Sequence, residues 1–168
     1  GAEAVVVISD KADAGGLKKA IERGVETVVV ERAGRTRVEH DAEIVSELEK
    51  RGVELVCLAG YMRLLSLLFV EAFPGRIVNI HPSLLPAFPG LDAQRQAIEA
   101  GAERSGCTVH FVDELLDHGE IILQKEVAVL EGDTPETLSA RILEQEHGLY
   151  VAAIEKLAAK FAERSDKA

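Results

Sequence analysis

Four short apolar runs, AVVVIS (4–9), ETVVVE (26–31), VELVCLAG (53–60) and RIVNI (76–80), recur with a longer stretch between each and the next. Short continuous runs rich in Val and Ile fit strands buried on both faces. The stretches between them have helical character. Residues 14–24 place Leu17, Ala20 and Ile21 on one face and stop at Gly24, and a helix over about 39–51 leads through Gly52 into the third run. Strands separated by helices pair in parallel through right-handed crossovers. The predicted class is therefore α/β: a Rossmann-like, mostly parallel sheet flanked by helices. Trp is absent and aromatics are only 4% of the chain, so the core must rest on Val, Ile, Leu and Ala, which suits helices packed on a buried sheet.

The texture changes after the fourth run. HPSLLPAFPGL (81–91) holds three prolines and a glycine, which predicts a stiff extended loop. A helix over 92–101 and a strand GCTVHFV (106–112) follow. DELLDHG (113–119) reads as a loop, and EIILQKEVAVL (120–130) as a strand antiparallel to the one before. The last part is helical, with Asp133 or Thr134 as N-cap and Pro135 in the first turn. Leu138, Ile142, Leu149, Ile154, Leu157 and Phe161 recur near helical spacing, and Gly148 is placed to bend or break the run. Without repeat, linker or low-complexity segment, residues 1–168 read as one domain with an N-terminal half (1–75) and a C-terminal half (76–168).

The net charge is −10, from 29 acidic and 19 basic residues, and no basic run concentrates positive charge. Nucleic acid and anionic membranes are therefore not expected partners. A phosphate ester would have to be bound by backbone amides or a few placed side chains. Cys57 and Cys107 each lie in an apolar run and are expected to be buried thiols. No charged-then-apolar leader and no spanning-length apolar run is present, which predicts a cytoplasmic protein. His40, His110, His118 and His147 show no zinc-ligand spacing, so no metal is expected.

The chemistry concentrates in RIVNIHPSLLPAFPG (76–90). A buried strand ends with Asn79 and His81 on the same side by period-two alternation. Ligands of open α/β sheets bind at the carboxyl ends of strands. Two donors pointing the same way there can stabilise one developing oxyanion, and an imidazole also serves as an acid–base group near neutral pH. The alternatives are a loop-capping Asn and a satisfied core His. A carboxylate is needed to orient the histidine or take up a proton. Asp117 is the best placed, but Asp113 and Glu114 are equally acidic and residue chemistry alone leaves the choice open.

Four ordered motifs, LAGYMRLLS (58–66), VNIHPSLLPAFPG (78–90), GCTVHFV–DELLDHG–EIILQ (106–124) and EQEHGLY (144–150), resemble the phosphoribosylglycinamide formyltransferase family, as does VVISDKADAGGL near the start. The resemblance implies transfer of the formyl group of 10-formyltetrahydrofolate to the amino group of glycinamide ribonucleotide, a step of purine biosynthesis and one-carbon metabolism. It implies that the half 1–75 binds nucleotide and that 76–168 binds formyl-folate and carries catalysis. Asn79 and His81 match the family's oxyanion-stabilising pair, and Asp117 matches its proton-organising aspartate. The folate contacts implied are the backbone of Arg63, Leu64 and Leu65 and the loop that includes Phe111, Val112, Asp113 and Glu114. Gly60, Pro82 and Glu146 match the ribonucleotide side. Plain core packing is the competing reading of Met62, Leu64 and Leu65. The small-molecule substrates are the partners implied, no metal is required, and a homodimer is compatible with the pattern.

The family pattern opens with a strand and a G-x-G-S-N turn that cradles phosphate at a helix N-terminus. This sequence begins at what matches the family's second strand, so that a strand–loop–helix unit of roughly 30 residues and its phosphate site are expected to be missing. Three other readings compete: formyltetrahydrofolate hydrolase, which carries a second His where this chain has Pro82; methionyl-tRNA formyltransferase, whose basic tRNA domain is at odds with the charge of −10; and a non-catalytic folate-binding relative.

Overall fold

The first two apolar runs become β1 (Val6–Ser9) and β2 (Glu26–Val29), which pair in parallel with Val6 opposite Glu26 and Ser9 opposite Val29. The computed structural model describes residues 1–61 and 63–167; Met62, whose expected core packing was noted above, lies outside the described residues. By its internal contacts the chain divides into two compact units. One comprises Glu3–Val56 and Arg63–Arg76, and the other Gly1–Ala2, Cys57–Met62 and Ile77–Ala168.

In the first unit, α1 (Gly15–Glu22) joins β1 to β2 and packs on both strands with Leu17 and Ala20 buried. It stops at Gly24, whose φ of 71° is one that a residue with a Cβ adopts with strain. Helix α2 (Arg37–Glu49) starts two residues before its expected position because Thr36 and Glu39 form a reciprocal capping box. Its buried side includes Ile44, Val45 and Leu48 together with His40 and Asp41. Helix α3 (Leu67–Ala72) packs against α2 and has no counterpart among the expected elements. Its apolar run is too short for periodicity to separate helix from strand.

The other four strands form a sheet in the order β3 (Val56–Leu58), β4 (Ile77–His81), β5 (Arg104–Phe111) and β6 (Ile121–Ala128). β5 runs antiparallel to both β4 and β6, which makes the architecture mixed α/β as expected. Helix α4 (Ala93–Glu99) packs on β5, and α5 (Pro135–Ser165) on β5, β6 and α4. Their core is Ala97, Cys107, Val127, Leu138 and Ile142, with Ile80, Phe88 and Leu149 against it.

Thr134 caps α5 in a box with Thr137, and Pro135 occupies the first turn. Gly148 does not break the helix into two, since α5 is continuous from Pro135 to Ser165. A mid-helix glycine costs about 1 kcal/mol, and the burial of Ala153 and Leu157 beyond it outweighs that. The Tyr150 hydroxyl faces Leu58 O at 2.7 Å and Val78 O at 3.2 Å, tying the middle of α5 to β3 and β4. The expectation of two buried thiols holds for Cys107 only. Cys57 is exposed, on the outermost strand of its sheet, whereas Cys107 lies inside the core, where burial pushes its thiol up to about 11.

Candidate active site

Strand β4 enters the core with Ile77 and Val78 fully buried and emerges at Asn79. The antiparallel register with β5 sets Asn79 opposite His110 and His81 opposite Thr108. Directly opposed residues of a sheet share a face, so Asn79, His81, Thr108 and His110 lie together. A register shift between Val109 and His110 on the β5–β6 side marks a bulge next to this group, the kind of irregularity that re-aims side chains.

The loop after β5 brings Asp117 to the same place. Its Oδ2 lies 3.4 Å from His81 Nδ1 and accepts the backbone N–H of Gly90 at 2.8 Å, and its Oδ1 lies 3.6 Å from His110 Nε2. All three side chains are more than nine-tenths buried. The structure therefore separates the three carboxylates that residue chemistry left equivalent. Asp113 accepts the Leu115 N–H at 2.7 Å and faces His118 at 3.0 Å, and Glu114 is exposed. Burial alone would raise the Asp113 carboxyl, but His118 and the Leu115 N–H outweigh it and the net shift is downward.

The tautomers follow from the partners. His81 Nε2 is 2.9 Å from the carbonyl oxygen of Phe88, which can only accept, so Nε2 carries the proton there. Nδ1 then faces a carboxylate oxygen of Asp117. His110 Nδ1 lies 2.9 Å from Phe111 O and donates by the same logic. Its Nε2 is buried, has no hydrogen-bond partner among the described residues, and points at Asp117. Burial pushes the His110 imidazole below its ordinary value, against the smaller upward pull of its bond to Phe111 and of the Asp117 charge. The ring stays neutral near pH 7.

Backbone geometry at the site is unusual. Phe88 and Asp117 adopt φ of 52° and 47°, in the left-handed region that non-glycine residues seldom occupy. Such conformations cost about 1–3 kcal/mol each and persist where the surroundings over-determine them. At Asp117 the carboxylate bonds and Gly119 do so. A Cβ on Gly119 would collide with Phe111 O, so only glycine lets the loop close this tightly against β5.

The loop from Pro82 to Gly90 is held from below by buried polar contacts. Thr108 Oγ1 donates to Ser83 O at 2.7 Å and accepts from Leu85 N at 3.1 Å and Gln124 Nε2 at 3.0 Å. Gln124 Nε2 also donates to Leu85 O at 2.8 Å, and Ser83 Oγ donates to Ala87 O at 2.6 Å. Three prolines foretold a stiff loop. Thr108, Gln124 and Ser83 were not singled out from sequence, and the only signal was the spacing of Thr108 two residues before His110.

The remaining expected site residues are more dispersed. Phe111 and Val112 are half-buried at the end of β5, and the Val112 N–H bonds Ile77 O at 2.9 Å. Pro82 is half-buried directly after His81, and Gly60 is exposed with φ of 63°. Glu146 is half-buried on α5, and burial raises its carboxyl despite the opposing pull of His147 and His81. Arg63, Leu64 and Leu65 belong to the other unit. There Leu65 is buried and Leu64 exposed, and the Arg63 guanidinium contacts Asp41 Oδ1 at 2.6 Å and His40 Nδ1 at 2.7 Å. No group of three or more potential metal ligands occurs among the described residues, and no described helix is long and apolar enough to cross a membrane.

Several known proteins are similar to this chain. The sequence pattern of the family described as formyl transferase matches residues 1–154. The chain is 45% identical over 149 residues to phosphoribosylglycinamide formyltransferase of Escherichia coli, covering 88% of this chain and 70% of that protein. It is 49% identical over 158 residues to the trifunctional purine biosynthetic protein adenosine-3 of Drosophila pseudoobscura pseudoobscura, covering 94% of this chain but only 12% of that protein. The crystal structure of glycinamide ribonucleotide transformylase 1 from Symbiobacterium toebii superposes with a TM-score of 0.87 at 56% identity, over 89% of this chain and 71% of that one.

Proposed function

Because this chain belongs to the formyl transferase family, we propose that it transfers the formyl group of 10-formyltetrahydrofolate to the amino group of glycinamide ribonucleotide. The observation that carries the reading is the pairing of His81 with Asp117 beside Asn79, each partner held by a backbone group of one loop, Phe88 O and Gly90 N–H. The neutral amine attacks the formyl carbon, a C–N bond forms, and the carbonyl π electrons move to oxygen. Asn79 and His81 donate hydrogen bonds to that oxyanion; the Nε2 proton of His81 now resting on Phe88 O is the one the oxygen recruits. The attacking nitrogen loses a proton to the His81–Asp117 pair; as the oxyanion electrons re-form the carbonyl, the folate nitrogen departs with the electrons of the broken C–N bond and takes that proton from the pair.

Phe111, Val112, Asp113 and Glu114 are proposed folate contacts, and Gly60, Pro82 and Glu146 ribonucleotide contacts. The backbone of Arg63, Leu64 and Leu65 is assigned to the pterin on sequence resemblance alone. The co-substrate and the ribonucleotide are small molecules; the reading requires neither nucleic acid nor a membrane. It places the chain in the cytoplasm and in one-carbon metabolism.

The test is transfer of a labelled formyl group from 10-formyltetrahydrofolate to glycinamide ribonucleotide by the 168-residue chain. Label on the ribonucleotide, lost in His81→Ala, supports the proposal. Folate binding without transfer would replace it with the reading of a partial, folate-binding relative.

A further inference from the structure

We propose that the Thr108 hydroxyl, together with the side-chain amide of Gln124, is the positioning device of the transfer site, fixing the loop whose backbone orients both His81 and Asp117. The proposal rests on the transfer reading above for its kinetic consequences, but its structural content stands apart from it.

A threonine hydroxyl has one proton to give and room to accept two. At Thr108 all three capacities are used, on Ser83 O, Leu85 N and Gln124 Nε2. The residue is fully buried and stands directly opposite His81 in the β4–β5 register. A β-branched apolar residue would fill the same volume on the same strand, so packing alone does not call for a hydroxyl here. What the hydroxyl adds is a fixed point for the backbone of Ser83 and Leu85, which cannot pair with a strand because the chain is leaving the sheet. Buried backbone groups left without partners are costly, so the loop adopts the path that reaches Thr108.

The constraint propagates forward through short steps. Ser83 Oγ holds Ala87 O, and Ala87 N closes a turn on Leu84 O at 3.0 Å. Leu84 lies against Gly106, where an added Cβ would sit 2.8 Å from Leu84 Cδ2 and collide with Lys125 O. The next residues present Phe88 O to His81 Nε2 and Gly90 N–H to Asp117 Oδ2. Both contacts orient the reacting groups, and neither involves a side chain of the loop. Their placement depends on the backbone path, and that path is anchored at Thr108. Gln124, reaching in from β6, ties hydroxyl and loop together through Leu85 O.

The experiment uses the full chain and the variants Thr108→Val, Thr108→Ser and Gln124→Leu, with two readouts. In transfer kinetics, Thr108→Val should lower kcat on the order of 10²-fold, the loss expected when a reacting group is misplaced by about 1 Å. KM for both substrates should stay within about twofold. Thr108→Ser should recover most of kcat. In nitrogen NMR of imidazole-labelled protein, the His81 resonances should shift in Thr108→Val and Gln124→Leu and return in Thr108→Ser. A folded Thr108→Val with unchanged His81 resonances, or a kcat loss that serine fails to rescue, would overturn the proposal. Should Thr108→Val not fold, Gln124→Leu decides, because Gln124 is exposed on its strand and its replacement leaves the core packing in place; unchanged His81 resonances in that variant would overturn it equally. Absence of formyl transfer in the unaltered chain would defeat the functional reading alone, and the NMR comparison would still decide the positioning.

Discussion

Asp117 Oδ2 stands 3.4 Å from His81 Nδ1, and Asp117 reaches that position with φ of 47°. Residue type matters twice there. The carboxylate must accept from the Gly90 N–H and face the imidazole, and the backbone must tolerate the left-handed region, where Asp and Asn are favoured over other side chains. Sequence neighbours of the same charge fail the first requirement.

Asp117→Asn separates these two demands. Asparagine keeps the left-handed conformation and an oxygen for Gly90 N–H but removes the charge beside His81. We expect a loss of roughly 10²–10⁴-fold in kcat with a thermal midpoint close to that of the unaltered chain. Steady-state transfer rates and a circular-dichroism melt check this, and turnover near normal would remove Asp117 from the mechanism.

Gly119→Ala attacks the same loop without touching a reacting group. The new methyl collides with Phe111 O, so the loop must shift and carry Asp117 with it. Transfer should fall strongly while the β5–β6 pairing survives. The comparison is between kinetics and amide-exchange protection along Arg104–Phe111.

His110 sets a pH dependence of stability. Its imidazole is held below the ordinary 6.5 by burial, so the unfolded chain binds a proton more readily than the folded one. The His110 contribution to stability is complete above the unfolded value and is lost as pH falls below about 6.5, down to the lower folded value. Urea midpoints should therefore decline across that window in the unaltered chain and decline less in His110→Gln. Parallel curves for the two proteins would contradict the assignment.

Ile142→Ala tests the second unit's core. Ile142 is almost fully buried among Leu138, Cys107 and Val127, so truncation should cost about 2–5 kcal/mol. Thr134→Ala removes only the cap of the same helix and should cost about 1 kcal/mol. Urea titration of both variants distinguishes them. Equal losses would mean that α5 is held by its cap rather than by its packing.

Several features were readable from the chain because they depend on neighbours in sequence. The apolar runs became strands, the Thr134–Pro135 start of α5 follows from capping chemistry, and the shared side of Asn79 and His81 follows from two-residue alternation. The family motifs drew attention to Asp117 over Asp113 and Glu114, a choice that residue chemistry had left open. Where local signals were weak or were overruled, the reading fell short. The six residues of α3 carry too little periodicity, Gly148 was outweighed by packing beyond it, and Cys57 looked buried until its strand proved to be the outer one.

The sequence by itself determined the α/β class, the family, and the pairing of an Asn and a His at the end of a buried strand. Tertiary structure decided what stands beside those residues: Asn79 opposite His110 and His81 opposite Thr108 in the strand register, and Asp117 brought to both histidines by a loop that closes on Gly119. The physical reason is range. Alternation, caps and turn residues act within a few positions. Register between β4 and β5 and the reach of Asp117 across 36 residues to His81 depend on how whole strands pair and pack, and no local pattern encodes that.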